Sequence, residues 1–219
     1  FFQRIYRYTF RRSLRSRQNF CFPPRLTAKN IIFAFMSHNN DKRLFLIDAY
    51  AMIFRGYYAL IRSPRITSDG KDTSAIFGFT NSLIELIRRE RPTHLAVVFD
   101  VGEASVRTAD FSDYKANRSE TPEAIKIAIP YIHRILEAMH VPILGVEGYE
   151  ADDVIGTIAC KAEKEGYTTY MVTPDKDFAQ LVTDKIKIYK PGLKGAEFEI
   201  LGVEEVKAML DTTEKGGVR

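Results

Sequence analysis

A chain of 219 residues, 45% hydrophobic and 27% charged, is long enough for one substantial α/β domain or two small ones, and it has the balance of ordinary globular material. No apolar run is long enough to cross a bilayer as a helix, and the two cysteines, Cys21 and Cys160, offer neither a metal-ligand spacing nor a disulfide framework, which suits a reducing, cytoplasmic setting. The net charge of +4 divides unevenly: residues 1–35 carry eight basic groups and no acid, leaving 24 basic and 28 acidic groups in a mildly acidic remainder that must cluster its cations if it holds nucleic acid.

The basic, acid-free start shows neither helical nor strand periodicity. An organellar transit peptide and a nucleic-acid-binding arm are both open readings of it. The one adopted is that residues 1–40 are an extension, disordered or outside the protein proper, and that the native start is Met36, because a clean strand begins soon afterwards.

From Arg43 onward strands and helices alternate. Leu44–Asp48 is a short apolar run closed by an acid, as in a strand buried on both faces. Residues 56–73 read as loop, with Gly56, Pro64, Asp69 and Gly70 as breakers. Ile76, Phe79, Leu83, Leu86 and Ile87 then recur at helical spacing over Ser74–Glu90, and Pro92 stops that helix. His94–Asp100 is a second buried strand with a terminal acid, and residues 101–121 are polar with no apolar face.

Helical spacing returns from Pro122 to Met139, with Pro130 expected to kink it. Val141–Leu144 is a third short strand. The helix after Asp153 is expected to end at Gly166, in the position of a glycine cap. Tyr167–Thr173 is a fourth strand, followed by Asp175 and Asp177; Ile186–Tyr189 and Phe198–Ile200 suggest a smaller strand pair near the edge, and Val203–Leu210 a last short helix. This alternation predicts an α/β fold with a mostly parallel central sheet and helices on both faces.

The chemistry concentrates in GVEGYEADDVIGTIA, where Glu150, Asp152 and Asp153 crowd three carboxylates into four residues. Such crowding is costly unless cations occupy the gap. Asp48, Asp100 and Asp175 each fall at the carboxyl end of a predicted strand, where open α/β sheets bind ligands, and Asp177 lies close by. An all-carboxylate set with no histidine or thiolate suits Mg²⁺ or Mn²⁺. Two ions about 3.5–4 Å apart can stabilise the attacking and leaving oxygens of a phosphodiester.

Taken singly, an Asp after a strand is more often a helix cap, and for Asp48 or Asp100 alone that reading is preferred. Asp152 and Asp153 alone would complement a helix dipole. An EF-hand opening at Asp175 is rejected, because Gln180 and Ile186 occupy the positions of its glycine and closing glutamate. Structural need accounts for one or two acids, however, and four strand ends here deliver seven.

A second cluster, Asp113-Tyr-Lys-Ala-Asn-Arg118, presents Lys115 and Arg118 at helical spacing beside Tyr114, with Arg107 upstream. Alone it is a solvated loop; beside the acids it is a candidate clamp for a scissile phosphate and a single strand. Lys71 and the helix start at Thr73 and Ser74 are candidates for holding a duplex phosphate through backbone N–H groups. The histidines are scattered and read as structural. Neither GxGxxG nor a P-loop occurs.

The segments FLIDAYAMIFRGYYAL, AVVFD, DYKANR, GYEADDVIGT and VTPDKDFAQLV, in this order and spacing, resemble the 5′→3′ exonuclease domain of bacterial DNA polymerase I, a flap-endonuclease family with a PIN-like fold. The resemblance runs from about Lys42 to about Leu210. It implies a PIN-like domain over 41–210 acting as a Mg²⁺-dependent nuclease on 5′ flaps, nicks and RNA primers of DNA in replication and repair. It also implies that Asp48, Asp100, Glu150, Asp152, Asp153, Asp175 and Asp177 match the family's metal-binding acids. Lys115, Arg118 and Tyr114 match its helical arch.

After Leu210 the family continues into two more metal-site aspartates and a helix-hairpin-helix, whereas residues 211–219 contain neither and read as a tail. A truncated nuclease part is therefore expected, monomeric, away from membranes and separated from a polymerase domain. The alternatives carried forward are an inactive DNA-binding fragment, a PIN-type ribonuclease acting on single-stranded RNA, and a Ca²⁺-stabilised structural domain.

Overall fold

The computed structural model describes residues 42–101, 121–190 and 198–215, with side chains described through Met209. These residues belong to one compact unit, Asn39–Arg219. The basic extension of residues 1–40 and the segment carrying Arg107, Tyr114, Lys115 and Arg118 lie outside the described residues.

The elements in chain order are β1 (Arg43–Asp48), α1 (Ala49–Ala59), α2 (Ser74–Glu90), β2 (His94–Val98), α3 (Glu123–Ala138), β3 (Ile143–Leu144), α4 (Ala151–Lys164), β4 (Thr168–Val172), a 3₁₀ helix (Lys176–Leu181), β5 (Ile186–Lys190), β6 (Glu199–Leu201) and α5 (Val203–Lys215). The strands form one sheet in the order β3-β2-β1-β4-β5-β6. All pairings are parallel except that of β6 with β5. The expected α/β architecture with a mostly parallel sheet is therefore the one observed, and its edge pair is β5 and β6.

Strand β1 lies at the centre because its side chains can be buried on both faces. Phe45 and Ile47 join Val97, Phe99 and Val172 in a core built with α1, α2 and α3. Leu44 and Leu46, which a strand directs to the other face, are also buried, with Ala96, Val98 and Met171. Helix α4 packs on that second side, against β1 and β4. Each aliphatic side chain so buried contributes about 1.5–3 kcal/mol. At the far end of β1 from Asp48, the Arg43 guanidinium lies over the Phe45 and Tyr170 rings and pairs with Glu90 at 2.9 Å, which ties the strand to the end of α2.

Helix α2 spans the predicted residues, and Arg91 closes it in the left-handed region at φ 46°, just before Pro92. Helix α4 ends two residues before Gly166, which has a φ of 84° as the expected cap position requires. Helix α3 continues through Pro130. That residue is exposed, on the solvent side of the helix, where a missing N–H does not leave a buried carbonyl unpaired. Helix α5 runs past the expected end at Leu210 to Lys215.

Gly56 is the principal correction. Residues 49–59 are helix α1, and the loop begins only after it. Gly56 does not break this helix but lets it cross α2 at Gly78: a Cβ on Gly78 would stand 2.5 Å from the Gly56 Cα. A residue that costs helix propensity is kept because only it permits the two backbones to approach.

Candidate active site

The carboxyl ends of the three central strands, β2, β1 and β4, meet at one edge of the sheet. Asp48 is the last residue of β1 and pairs in register with Val98 of β2, while Ile47 pairs with Val172 of β4. Asp100 and Asp175 follow those strands by two and three residues. The sheet thus delivers one carboxylate from each of three neighbouring strands, with Asp48 in the middle.

Each of the three is also fixed by a helix start. Asp48 caps α1, its Oδ1 accepting from Ala51 N–H at 3.0 Å. Asp175 caps the 3₁₀ helix and accepts from Asp177 N–H at 2.9 Å. Asp100 reaches across to α4, accepting from Ala151 N–H at 2.6 Å through Oδ1. The cap and site readings of these residues are therefore not exclusive: one oxygen of each carboxylate holds a backbone N–H, which orients the other.

Electrostatics follow from this placement. Burial lifts the Asp48 carboxyl to about 6, and the negative charges of Asp100 and Asp175 add to the rise. The Ala51 N–H and the Thr173 hydroxyl pull the other way without cancelling it. Asp100 and Asp175 are exposed, so Asp48 bears the cost of the gathering.

Glu150 and Asp153 form a capping box at the start of α4, Asp153 Oδ2 accepting from Glu150 N–H at 3.3 Å. Asp152 lies in the same first turn and Asp177 in the first turn of the 3₁₀ helix. Glu150 is buried, and the Ala151–Asp100 hydrogen bond ties this acidic turn to the end of β2. All seven predicted acids thus lie on strand ends or helix starts of one sheet edge. Among the described residues, no three His, Cys, Asp or Glu side chains already stand as a ready-made ion cage.

The donor set nevertheless fits a hard divalent cation. It offers only carboxylate oxygens, and a cation among Asp48, Asp100 and Asp175 would favour the charged form of an Asp48 raised first by burial and further by its two acidic neighbours.

Two contributors were not visible in the sequence. Thr173, buried at the end of β4, donates its hydroxyl to Asp48 Oδ2 at 3.4 Å and accepts from Asp175 N–H at 3.2 Å. A hydroxyl where an apolar strand stops is its only sequence trace. Tyr50, in the first turn of α1, packs edge-on against Phe99, and burial together with the Asp100 charge pushes its phenol up.

The phosphate-holding candidates lie on α2. Ser74 is buried, and its Oγ accepts from Arg65 N–H at 2.8 Å, while the Thr73 hydroxyl donates to the Arg65 carbonyl at 2.8 Å. Both side chains strap the preceding loop to the helix, and the expected backbone donors are engaged as well: Thr73 N–H donates to the Arg65 carbonyl at 2.8 Å and is not open to a phosphate. Asp72 already accepts from Ser74 N–H at 2.8 Å. Lys71 is exposed and pairs with Asp69 at 2.9 Å.

Residues 43–211 match the family model described as 5′-3′ exonuclease, N-terminal resolvase-like domain. DNA polymerase I of Mycobacterium tuberculosis is 42% identical over 148 residues, covering 68% of this chain and 16% of that protein. DNA polymerase I of Bacillus subtilis is 38% identical over 160 residues, covering 72% and 18%. The 5′-3′ exonuclease of Aquifex aeolicus is 39% identical over 150 residues, covering 68% and 51%. The chain therefore spans less than a fifth of these polymerases and about half of that exonuclease.

Among solved structures, the T5 D15 protein co-crystallised with metal ions aligns with a TM-score of 0.54 at 19% identity, over 76% of this chain and 59% of that one. The bacteriophage T5 D15 flap endonuclease in a pseudo-enzyme-product complex with DNA and metal ions aligns with a TM-score of 0.55 at 17% identity, over 77% and 61%. At these identities the likeness is one of fold.

Proposed function

Because this chain belongs to the 5′-3′ exonuclease family through its N-terminal resolvase-like domain, we propose that it is the nuclease part of a divalent-metal-dependent enzyme hydrolysing DNA phosphodiesters. Its substrates are 5′ ends, nicks and 5′ flaps, including RNA primers, in cytoplasmic DNA replication and repair. The observation carrying this reading is the gathering of Asp48, Asp100 and Asp175 at the ends of three adjacent parallel strands, with the Asp48 carboxyl raised to about 6. The reading is supported by fold neighbours that were crystallised with metal ions and by relatives that are DNA polymerases I.

Asp48, Asp100 and Asp175, with Glu150, Asp152, Asp153 and Asp177 around them, are assigned to hold two Mg²⁺ ions, Mn²⁺ being an acceptable substitute. When bound, such ions supply a nucleophilic water at neutral pH and neutralise charge on the phosphate. The chain's own contribution is orientation: the N–H groups of Ala51, Ala151 and Asp177 fix the carboxylates in place. Lys115 and Arg118 are assigned to the transition-state charge of the phosphate, and Tyr114 and Arg107 to the departing strand. Lys71 and the start of α2 at Thr73 and Ser74 are assigned to the duplex. Residues 41–210 are assigned to this unit, monomeric in solution, with 1–40 an extension and 211–219 a tail into which α5 continues as far as Lys215.

Cleavage of a 5′-flap duplex in Mg²⁺ tests the proposal. Asp152→Ala and Asp175→Ala are expected to abolish cleavage while the circular dichroism spectrum stays that of the parent. Equal cleavage rates for variant and parent would refute the assignment. Linear single-stranded RNA cut in preference to the flap would favour the ribonuclease reading, and flap binding without cleavage at saturating metal the inactive-fragment reading.

A further inference from the structure

The two sides of the acidic edge differ in character. On the β4 side the chain leaves through Thr173, Asp175, Lys176 and Asp177, with no large apolar side chain exposed among these described residues. On the β2 side, Val101 is 42% exposed, Val146 47% and Tyr149 53%. These three flank Asp100 and Glu150 in sequence, and the fold brings their two segments together. Gly145 lies so close to the exit of β2 that a Cβ there would meet the Phe99 carbonyl oxygen at 2.8 Å and the Val101 side chain. At its other end the loop is held by Ala151 N–H donating to Asp100 Oδ1. Its Tyr149 N–H donates to the Val146 carbonyl at 3.1 Å, closing a turn that presents the ring.

Tyr149 also has a plain structural explanation. It immediately precedes the N-cap Glu150, the position from which a hydrophobic staple packs onto the fourth helical residue, here Val154. A staple serves by burying its side chain, yet Tyr149 is an exposed residue. Isolated exposed apolar residues need no explanation, but three on two mutually anchored segments beside a carboxylate cleft make a rim.

We infer that Tyr149, with Val101 and Val146 beside it, is a stacking platform for the unpaired nucleobase next to the phosphate cut at the acidic edge. The inference rests on the nuclease reading above and adds a specificity element to it. An aromatic face takes any base, so the platform selects for an unstacked nucleotide over a paired one without selecting sequence. Apolar side chains on this rim and carboxylates behind it divide the work: the base is held from one side while its backbone lies toward Asp100.

The test uses a 5′-flap DNA with 2-aminopurine at the first unpaired nucleotide, bound in Ca²⁺ by the parent, Tyr149→Phe, Tyr149→Leu and Tyr149→Ala. Stacking on the ring quenches the parent and Tyr149→Phe signals alike. Tyr149→Ala is expected to lose the quench and bind about tenfold more weakly, with an unchanged Tm, and Tyr149→Leu to bind weakly despite its apolar bulk. Parent-like quenching and affinity in Tyr149→Ala or Tyr149→Leu overturn the platform while the nuclease reading stands. A lowered Tm in Tyr149→Ala with unchanged affinity assigns the ring to the staple instead. A parent that neither binds nor cleaves the flap overturns both.

Discussion

The Thr173 hydroxyl lies 3.4 Å from Asp48 Oδ2 and joins two acids from neighbouring strands, because the same oxygen accepts the Asp175 N–H. It therefore couples the orientation of one carboxylate to the backbone that positions the other. Its donor opposes the rise of the Asp48 carboxyl.

Thr173→Val keeps the side-chain shape and removes that donor. Cleavage is expected to fall about 10- to 100-fold, the usual cost of losing a group that orients a metal ligand. The acidic limb of the pH–rate profile should move to higher pH, since Asp48 loses a hydrogen bond that favours its charged form. A purely structural Thr173 would lower Tm and leave that limb where it was.

The Asp48 carboxyl titrates near 6 in the fold against 3.8 as its ordinary value. A raised native value means that stability is complete below about pH 4 and is lost as the pH climbs through 6. The penalty at neutral pH is about 3 kcal/mol. Asp48→Asn keeps an oxygen for Ala51 N–H and carries no charge, so in chelator it should melt about 5–10 °C above the parent at pH 7.5. The two should converge at pH 4. Mg²⁺ should narrow the gap at pH 7.5 by stabilising the parent alone. Parallel melting curves across this range would contradict the assigned cause.

Gly78→Ala sets a Cβ 2.5 Å from the Gly56 Cα, a backbone contact that no side-chain rotation relieves. The crossing of α1 and α2 must then open, at a cost of about 1–3 kcal/mol or more. Thermal melting reads this directly. A Tm within one degree of the parent would show that the helices separate freely.

What the sequence made legible follows from how each part is held. Strands β1 and β2 carry buried apolar runs closed by a polar exit, and β4, although it opens on two threonines, ends the same way in Met171 and Val172. Helix α2 was legible for its regular apolar face and its stop at Pro92. Helix α1 was not, because Gly56 signals a break locally and serves a tertiary contact with Gly78. The seven acids were legible as a set, whereas the central place of Asp48 depends on strand order, which no local pattern encodes. Thr173 was hidden for the same reason: its partners lie one strand away and two residues onward. Ser74, a candidate by position at a helix start, proved to spend its hydroxyl on the Arg65 backbone.

Asp48 and Asp175, delivered by two different strands, are assigned to the same divalent ions. Titration of Mn²⁺ followed by electron paramagnetic resonance measures this without any nucleic acid. The parent should bind saturably at pH 7.5, and Asp48→Asn and Asp175→Asn should each weaken binding by at least about tenfold. Binding by either variant with the parent's affinity and ion count would contradict it.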